Sequence, residues 1–384
     1  MTCSLSLRLV LVSGAVLGCA KPPAPSTPSL PQRLQALLDS TMAASPQVPG
    51  LILRVDAPKL NLAWSGAAGL FDKATGEKLR PEHTVRMASN TKTYIAATTL
   101  RLVEQGKIDL GAPIAKYLSP EALRALTRGG YDPKAITVRM LLQHVSGIFD
   151  YAMSPPFAKA VNDHFDHRWT RAEQLAFAVD SGKPVGKPDE LYSYSDTGYI
   201  LLGEIIERVS GLPMGQAVRD LLGFAQHGIQ ATYFETLDSV PAGTPPRAHQ
   251  YLDSVDSYTL DASHDLYGGG GLVSNMENMA RFYRALVRGE LFEKKETIAQ
   301  MLEPSPQSLK QNPGGYGMGI GRATVGNVTC YGHSGYWGTT VRHCPSIDLT
   351  VAAAMNRSPD SAAAMIKLAA AAIRLVVGAG GSPP

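Results

Sequence analysis

The sequence predicts an α+β protein: an antiparallel β-sheet flanked by N- and C-terminal helices, with a mostly helical inserted subdomain. Three observations carry this. Strand-like runs stand near the start, Leu51–Val55 and Leu60–Trp64, and return from about residue 316 onward. The stretch between, from about 113 to 305, reads as helical fragments and loops rich in glycine and proline. Helices with one apolar face border the strands at both ends. Strands at the two ends with helices between them favour one sheet closed by both ends of the chain over a βαβ alternation.

Taken in order, Arg33–Ala44 places Leu34, Leu37, Leu38 and Met42 on one helical face. The runs Leu51–Val55 and Leu60–Trp64 are separated by a short polar loop suited to a hairpin. Arg86–Gly106 reads as a helix and Asp109–Pro113 as the loop that follows. Ile136–Gly147 reads as a short helix capped by Thr137 and stopped by Gly147, and Gly198–Gly211 as a second helix ended by glycine. Met276–Val287 is a third, after the glycine run 268–271. Thr324–Tyr331, Gly338–His343 and Leu349–Asn356 read as strands, and Ser361–Val377 as an alanine-rich helix able to lie on a sheet. The expected body is residues 33–378, with an α/β part at about 33–112 and 306–378 and a helical part at about 113–305; 379–384 reads as a flexible tail. Residues 148–192 and 224–268, rich in aromatic and polar side chains, are candidates for the walls of a cleft.

The chain has 384 residues, 44% hydrophobic and 18% charged, with a formal charge of +3. That small charge, with no long basic run, gives no reason to expect a nucleic-acid partner. Arg8 precedes the apolar run 9–18, too short for a permanent membrane span, and Cys19 follows at once. Val16-Leu17-Gly18-Cys19 resembles the bacterial lipobox, which implies a signal peptide over 1–18, lipid attachment at Cys19, and a proline-rich tether over 19–32 that neither forms a helix nor joins a sheet. The expectation is an envelope protein facing the periplasm, anchored to a membrane by lipid and monomeric. Cys330 and Cys344 remain as a pair for an oxidising compartment. They flank Gly335–Gly338 almost symmetrically, as cross-strand neighbours in a hairpin would, so a disulfide between them is expected.

The chemistry centres on Ser89-Asn90-Thr91-Lys92. A three-residue spacing on a helix stacks the two side chains on one face, with the lysine in reach of the hydroxyl. A serine hydroxyl needs a base to become a nucleophile, and a desolvated lysine can be one. Amides at a helix start can also stabilise developing negative charge. Alone, the tetrad is more readily a cap beside a solvated lysine.

Tyr194-Ser195-Asp196 and His333-Ser334-Gly335 follow in order, with Leu141–Gly147, Tyr192–Gly203 and Gly270–Ser274 as supporting stretches. Together with the tetrad these resemble the ordered motifs of the penicillin-recognising serine hydrolases, especially the class C β-lactamase and D-Ala-D-Ala carboxypeptidase branch, over about 33–378. The resemblance implies an acyl-enzyme on Ser89, with Lys92 and Tyr194 as general base and acid, Lys92 lowering the tyrosine's pKa, and His333 beside them. It implies an oxyanion site between the N–H groups of Ser89 and Tyr336, the latter on an edge strand. Asp196, Ser334 and Gly335 would contact substrate, with Gly335 letting the substrate backbone approach. Substrates would be small molecules or peptides with peptide, amide, ester or β-lactam acyl groups, peptidoglycan stem peptides included. No cofactor or metal is implied.

Two residues depart from the family pattern. Asp196 stands where asparagine is usual, so a carboxylate would repel acceptor groups, stabilise a charged Lys92 and favour substrates offering an amine. His333 stands where lysine is more frequent, which weakens attraction for a substrate carboxylate. Both weigh against a genuine β-lactamase, the first alternative; a non-catalytic envelope lipoprotein is the second. An α/β-hydrolase reading of Gly332-His333-Ser334-Gly335 lacks the second glycine, since Tyr336 occupies its place. His164, Asp166 and His167 have too few partners at ligand spacing for a metal site.

Overall fold

The computed structural model describes residues 1, 28–358 and 361–380. The lipobox, Cys19 and most of the tether lie outside the described residues. The N-terminal part holds α1 (Leu30–Ala43), β1 (Gly50–Ala57), β2 (Leu62–Gly69), β3 (Val85–Arg86) and α2 (Thr91–Glu104). The middle holds α3 (Pro120–Arg128), α4 (Val138–Leu142), α5 (Pro155–Asp163), α6 (Arg171–Ser181), α7 (Asp196–Ser210) and α8 (Met214–Leu221). After these come the short strands β4 (Tyr233–Phe234), β5 (Tyr251–Leu252), β6 (Val255–Asp256) and β7 (Leu272–Ser274), and the helices α9 (Met276–Val287), α10 (Lys295–Leu302) and α11 (Pro306–Gln311). The chain closes with β8 (Gly321–Val325), β9 (Val328–Gly335), β10 (Thr339–Cys344), β11 (Leu349–Met355), β12 (Arg357–Ser358) and α12 (Ser361–Gly380).

The main sheet has six antiparallel strands in the order β2-β1-β11-β10-β9-β8, so strands from the two ends of the chain meet where β1 pairs with β11. One apolar core lies between this sheet and α1 and α12; it contains Leu34, Leu38, Val351, Met365 and Ile373. The larger core lies on the opposite face and runs through the helical region. The helix α12 is apolar and long enough to cross a membrane, yet Met365, Leu368, Ala372 and Ile373 are buried in the first core.

Several expectations shift. The first helix starts at Leu30, inside the stretch read as a tether. The Ser29 hydroxyl accepts from the Gln32 amide, and Pro31 sits in the first turn, where a missing N–H costs nothing. The helix α12 runs to Gly380, into the stretch expected from 379 to be a tail, whose remaining residues lie outside the described ones. The strand read over 324–331 is instead a tight hairpin: Val325 pairs with Val328, and Gly326 supplies the positive φ (62°) that the turn requires. Two three-stranded ribbons, β3-β7-β4 and β12-β5-β6, join strands of the middle region to one strand from each end of the chain. By its contacts α9 belongs to the sheet, packing on β1, β10 and β11, although it falls in the part read as the helical insertion.

The Cys330–Cys344 disulfide is present and buried, one pair beyond the β9–β10 register that ends at His343 and Tyr331. It joins the strand carrying His333 to its neighbour.

Candidate active site

Ser89 lies in a single 3-10 turn, Ala88–Asn90, that leads directly into α2. That helix is buried almost all round, with Tyr94, Ile95, Ala96, Ala97 and Leu100 inaccessible, so its first turn is rigidly held. Ala88 adopts φ 46°, a left-handed conformation costly for a residue with a Cβ, directly before the partly exposed Ser89.

Lys92, one helical turn later, is fully buried. Its Nζ donates to Ser89 Oγ at 3.0 Å and to the Gly269 carbonyl at 2.6 Å, and forms an ion pair with Asp196. It also lies over the Tyr194 ring, 4.9 Å from the centroid. Asp196 opens α7, where the helix dipole favours an acid, behind the cap Ser195. A Cβ at Gly269 would sit 3.2 Å from Asp196 Cβ, a tight contact that glycine avoids.

Tyr194 departs from the expectation that Lys92 lowers its pKa. The lysine sits over the ring and its charge is matched by Asp196. The Tyr194 hydroxyl is buried near the Ser89 hydroxyl but makes no well-formed hydrogen bond. Burial first, and the Asp196 charge second, hold the phenol well above its ordinary range, with the Ser89 hydroxyl opposing.

His333 projects from β9 toward the same cluster and is also buried. Its Nδ1 lies 2.7 Å from the Ser334 carbonyl and 3.0 Å from the Ser334 amide nitrogen, and its Nε2 lies 2.9 Å from Tyr316 Oη, the tautomer setting which nitrogen donates. Burial and then the Lys92 charge push His333 down to about 3, so it is a neutral acceptor rather than a cation.

Ser89, Lys92, Tyr194, Asp196 and His333 are therefore brought together. Three other expected residues are placed differently. Ser334 Oγ pairs with Thr340 Oγ1 at 2.9 Å, on the opposite face of β9 from His333. At Gly335 a Cβ would lie 2.1 Å from the Met87 carbonyl and 2.6 Å from Thr339 Oγ1, so glycine lets β9 close against the Ser89 turn. Tyr336 is exposed, in the turn after β9 rather than on an edge strand; β8 is the edge, and it pairs with β9 only up to Gly332. Among the described residues no acceptor is bonded to the backbone N–H of Ser89 or of Tyr336. The α/β-hydrolase reading fails because Ser334 sits inside a strand followed by another strand. His167 Nε2 is 3.0 Å from Glu173 Oε1, and His164 and Asp166 join no cluster of potential metal ligands among the described residues.

Sequence reasoning missed four contributors. Tyr316 bonds His333, and the alternating glycines at 315, 317 and 319 around it were the available signal. The His144 ring packs 4.2 Å from that of Tyr194 and 5.0 Å from that of Tyr316, and burial, with the Lys92 charge, keeps it neutral. Asp150 Oδ1 accepts from the Asp196 amide at 3.1 Å; Asp265 lines a small cavity with Arg86, Ala88 and Trp337. Burial, then the Asp196 charge, raise both carboxyls to about 7. Both lie in the two stretches expected to wall the cleft. One amine thus faces three carboxyl groups beside a serine hydroxyl.

The Beta-lactamase family model matches residues 36–374. Esterase EstB of Burkholderia gladioli is 30% identical over 198 residues, covering 50% of this chain and 49% of that protein. Penicillin-binding protein 4 of Amycolatopsis lactamdurans is 28% identical over 159 residues, covering 41% and 38%. The chain thus spans about half the length, or less, of these two relatives. A D-stereospecific amidohydrolase from a Streptomyces species superposes with a TM-score of 0.74 at 27% identity, covering 88% of this chain and 97% of that one. The chain belongs to the Beta-lactamase family, and with it to the serine hydrolases.

Proposed function

We propose that this protein hydrolyses small amides or esters through an acyl-enzyme on Ser89, with a preference for acyl groups that carry an amine. The observation that carries the reading is the contact between a buried Lys92 Nζ and Ser89 Oγ, 3.0 Å apart, at the mouth of a rigid helix. In acylation the Ser89 oxygen bonds the acyl carbon as its proton passes to Lys92. A protonated lysine cannot accept it, so Lys92 first hands a proton to Asp196, which it touches. Tyr194, held neutral, is suited to give a proton to the leaving nitrogen or oxygen. Water then attacks the ester by the reverse path. The free amides of Ser89 and Tyr336 supply the oxyanion donors.

Charge supports the substrate preference. His333 is neutral and Lys92 is committed to Asp196, which leaves little to attract a substrate carboxylate, while Asp150 and Asp265 add negative charge as pH rises through about 7. The relative named as a D-stereospecific amidohydrolase fits this class, and the relative named as an esterase fits the ester half. A genuine β-lactamase or a carboxypeptidase fits less well for the same reason, and a scaffold without activity would not need the Ser89–Lys92 contact. We further propose that the protein sits in the bacterial envelope, anchored through Cys19, a reading supported by the lipobox-like sequence. A hydrolysis panel of D-amino-acid amides, short esters, D-Ala-D-Ala peptides and nitrocefin should rank the amine-bearing amides and esters first and lose all turnover in Ser89→Ala. In Asp196→Asn the ratio of nitrocefin or acylated-peptide turnover to amine-bearing turnover should rise about tenfold; an unchanged ratio removes the amine preference.

A further inference from the structure

An oxyanion site built from Ser89 N–H and Tyr336 N–H needs two amides from different parts of the chain to keep a fixed separation. One follows β3, the other follows β9. Between these two segments stands a fully buried side chain, Gln250. Its Oε1 accepts from the Arg86 amide at 2.8 Å, and its Nε2 donates to the Arg86 carbonyl at 3.2 Å and to the Trp337 carbonyl at 2.8 Å. Arg86 is three residues before Ser89, and Trp337 is next to Tyr336.

The glutamine is itself held in place. The Gln250 carbonyl accepts from Ser257 N–H at 3.0 Å and from Ser257 Oγ at 2.6 Å. A second contact spans the same gap: the Arg86 guanidinium lies 5.7 Å from the Trp337 ring centroid. Thr339 Oγ1 donates to the Met87 carbonyl at 2.9 Å and so closes the strand end of the gap, while Gln250 reaches the turn itself. A carboxamide with its donor and acceptor ends both used, in a dry interior, fixes geometry more firmly than apolar packing of the same size.

We infer that Gln250 is a positioning residue for the oxyanion hole, setting the distance between the Ser89 turn and the Tyr336 turn without touching substrate. The inference rests on the acyl-enzyme reading above. Its consequence is specific: loss of the bridge weakens binding of a tetrahedral oxyanion more than binding of the planar substrate.

The test uses Gln250→Met, which keeps the length and removes all three bonds, and Gln250→Glu. Affinity for an arylboronic acid, which forms a tetrahedral adduct on a nucleophilic serine, and kcat per fluorophosphonate-titrated site should each fall about 10- to 100-fold in Gln250→Met, with KM within about twofold. In Gln250→Glu a protonated side-chain carboxyl can accept from Arg86 N–H and donate to the Trp337 carbonyl, whereas the ionised carboxylate repels that carbonyl. The ratio of Gln250→Glu to wild-type kcat should therefore climb as pH falls from 8 to 5, which also serves if the methionine variant does not fold. Wild-type boronate affinity in Gln250→Met, or a ratio for Gln250→Glu that stays flat with pH, overturns the role of Gln250. Failure of the wild type to bind boronate, or equal binding by Ser89→Ala, overturns the parent reading and this role with it.

Discussion

Two buried charge clusters flank Ser89, and they are built on opposite plans. On one side Arg86 donates to Glu235 at 2.7 Å and to the carbonyls of Ser257 at 3.0 Å and Leu260 at 2.6 Å, and Glu235 also pairs with Arg247 at 3.2 Å. Here two guanidinium groups share one carboxylate. On the other side one ammonium, Lys92, faces Asp196, Asp150 and Asp265. The Tyr194 hydroxyl there makes no well-formed hydrogen bond. The well-bonded cluster has little reason to move a proton and is suited to holding the β3 turn. The under-bonded cluster has carboxyls titrating near neutrality next to a hydroxyl, which is what proton transfer requires. The contrast lies in who shares whom: cations compete for one carboxylate at the frame, with Arg247 Nη1 left over, whereas carboxyls compete for one ammonium at the reaction centre.

The contrast is sharpest in a pair of substitutions. Lys92→Ala should lower the rate of acylation on the order of 10³-fold or more while leaving far-UV circular dichroism intact at pH 5.5, where Asp150 and Asp265 hold their protons. Arg86→Met should do the converse to stability, costing about 3 kcal/mol in denaturant unfolding because the carbonyls of Ser257 and Leu260 lose this donor and Glu235 keeps only Arg247. If Lys92→Ala unfolds the protein at that pH while Arg86→Met leaves stability untouched, the two roles are reversed.

A smaller effect tests the electrostatics alone. Asp265 has its carboxyl raised from 3.8 to about 7, so between those values the folded state keeps a proton that the unfolded chain has released. Its contribution to stability is therefore full below about pH 4 and is lost as pH rises through about 7. Asparagine does not titrate. Asp265→Asn should raise Tm by about 1–3 °C at pH 8, with the gain vanishing at pH 4. A gain of equal size at both pH values would mean that packing, not charge, is responsible.

How much of this was legible in the sequence depended on whether a residue works through its neighbours along the chain. Ser89 and Lys92 are one helical turn apart, so their contact follows from spacing. Tyr194 and His333 were legible through motif order, and the Cys330–Cys344 bond through its symmetry about a turn. Asp150, Asp265, Gln250 and Tyr316 act through contacts with residues distant in sequence, and no local pattern records those. The environment of a side chain was equally hidden. Motif order sets Lys92 beside Tyr194 as the cation that depresses it, but the partner that absorbs the lysine's charge is already in place at Asp196. Gly335 was legible as a site of close approach, yet what approaches it is the Met87 carbonyl of the protein itself.

The central claim is that the serine at the start of α2, activated by the under-bonded cluster, is the nucleophile. The most direct measurement is intact mass followed by peptide mapping after incubation with a fluorophosphonate. The expected result is one phosphonylated peptide carrying Ser89, formed in the wild type and absent from Ser89→Ala. An adduct that persists in Ser89→Ala, or a wild type that no acylating probe modifies, would contradict it.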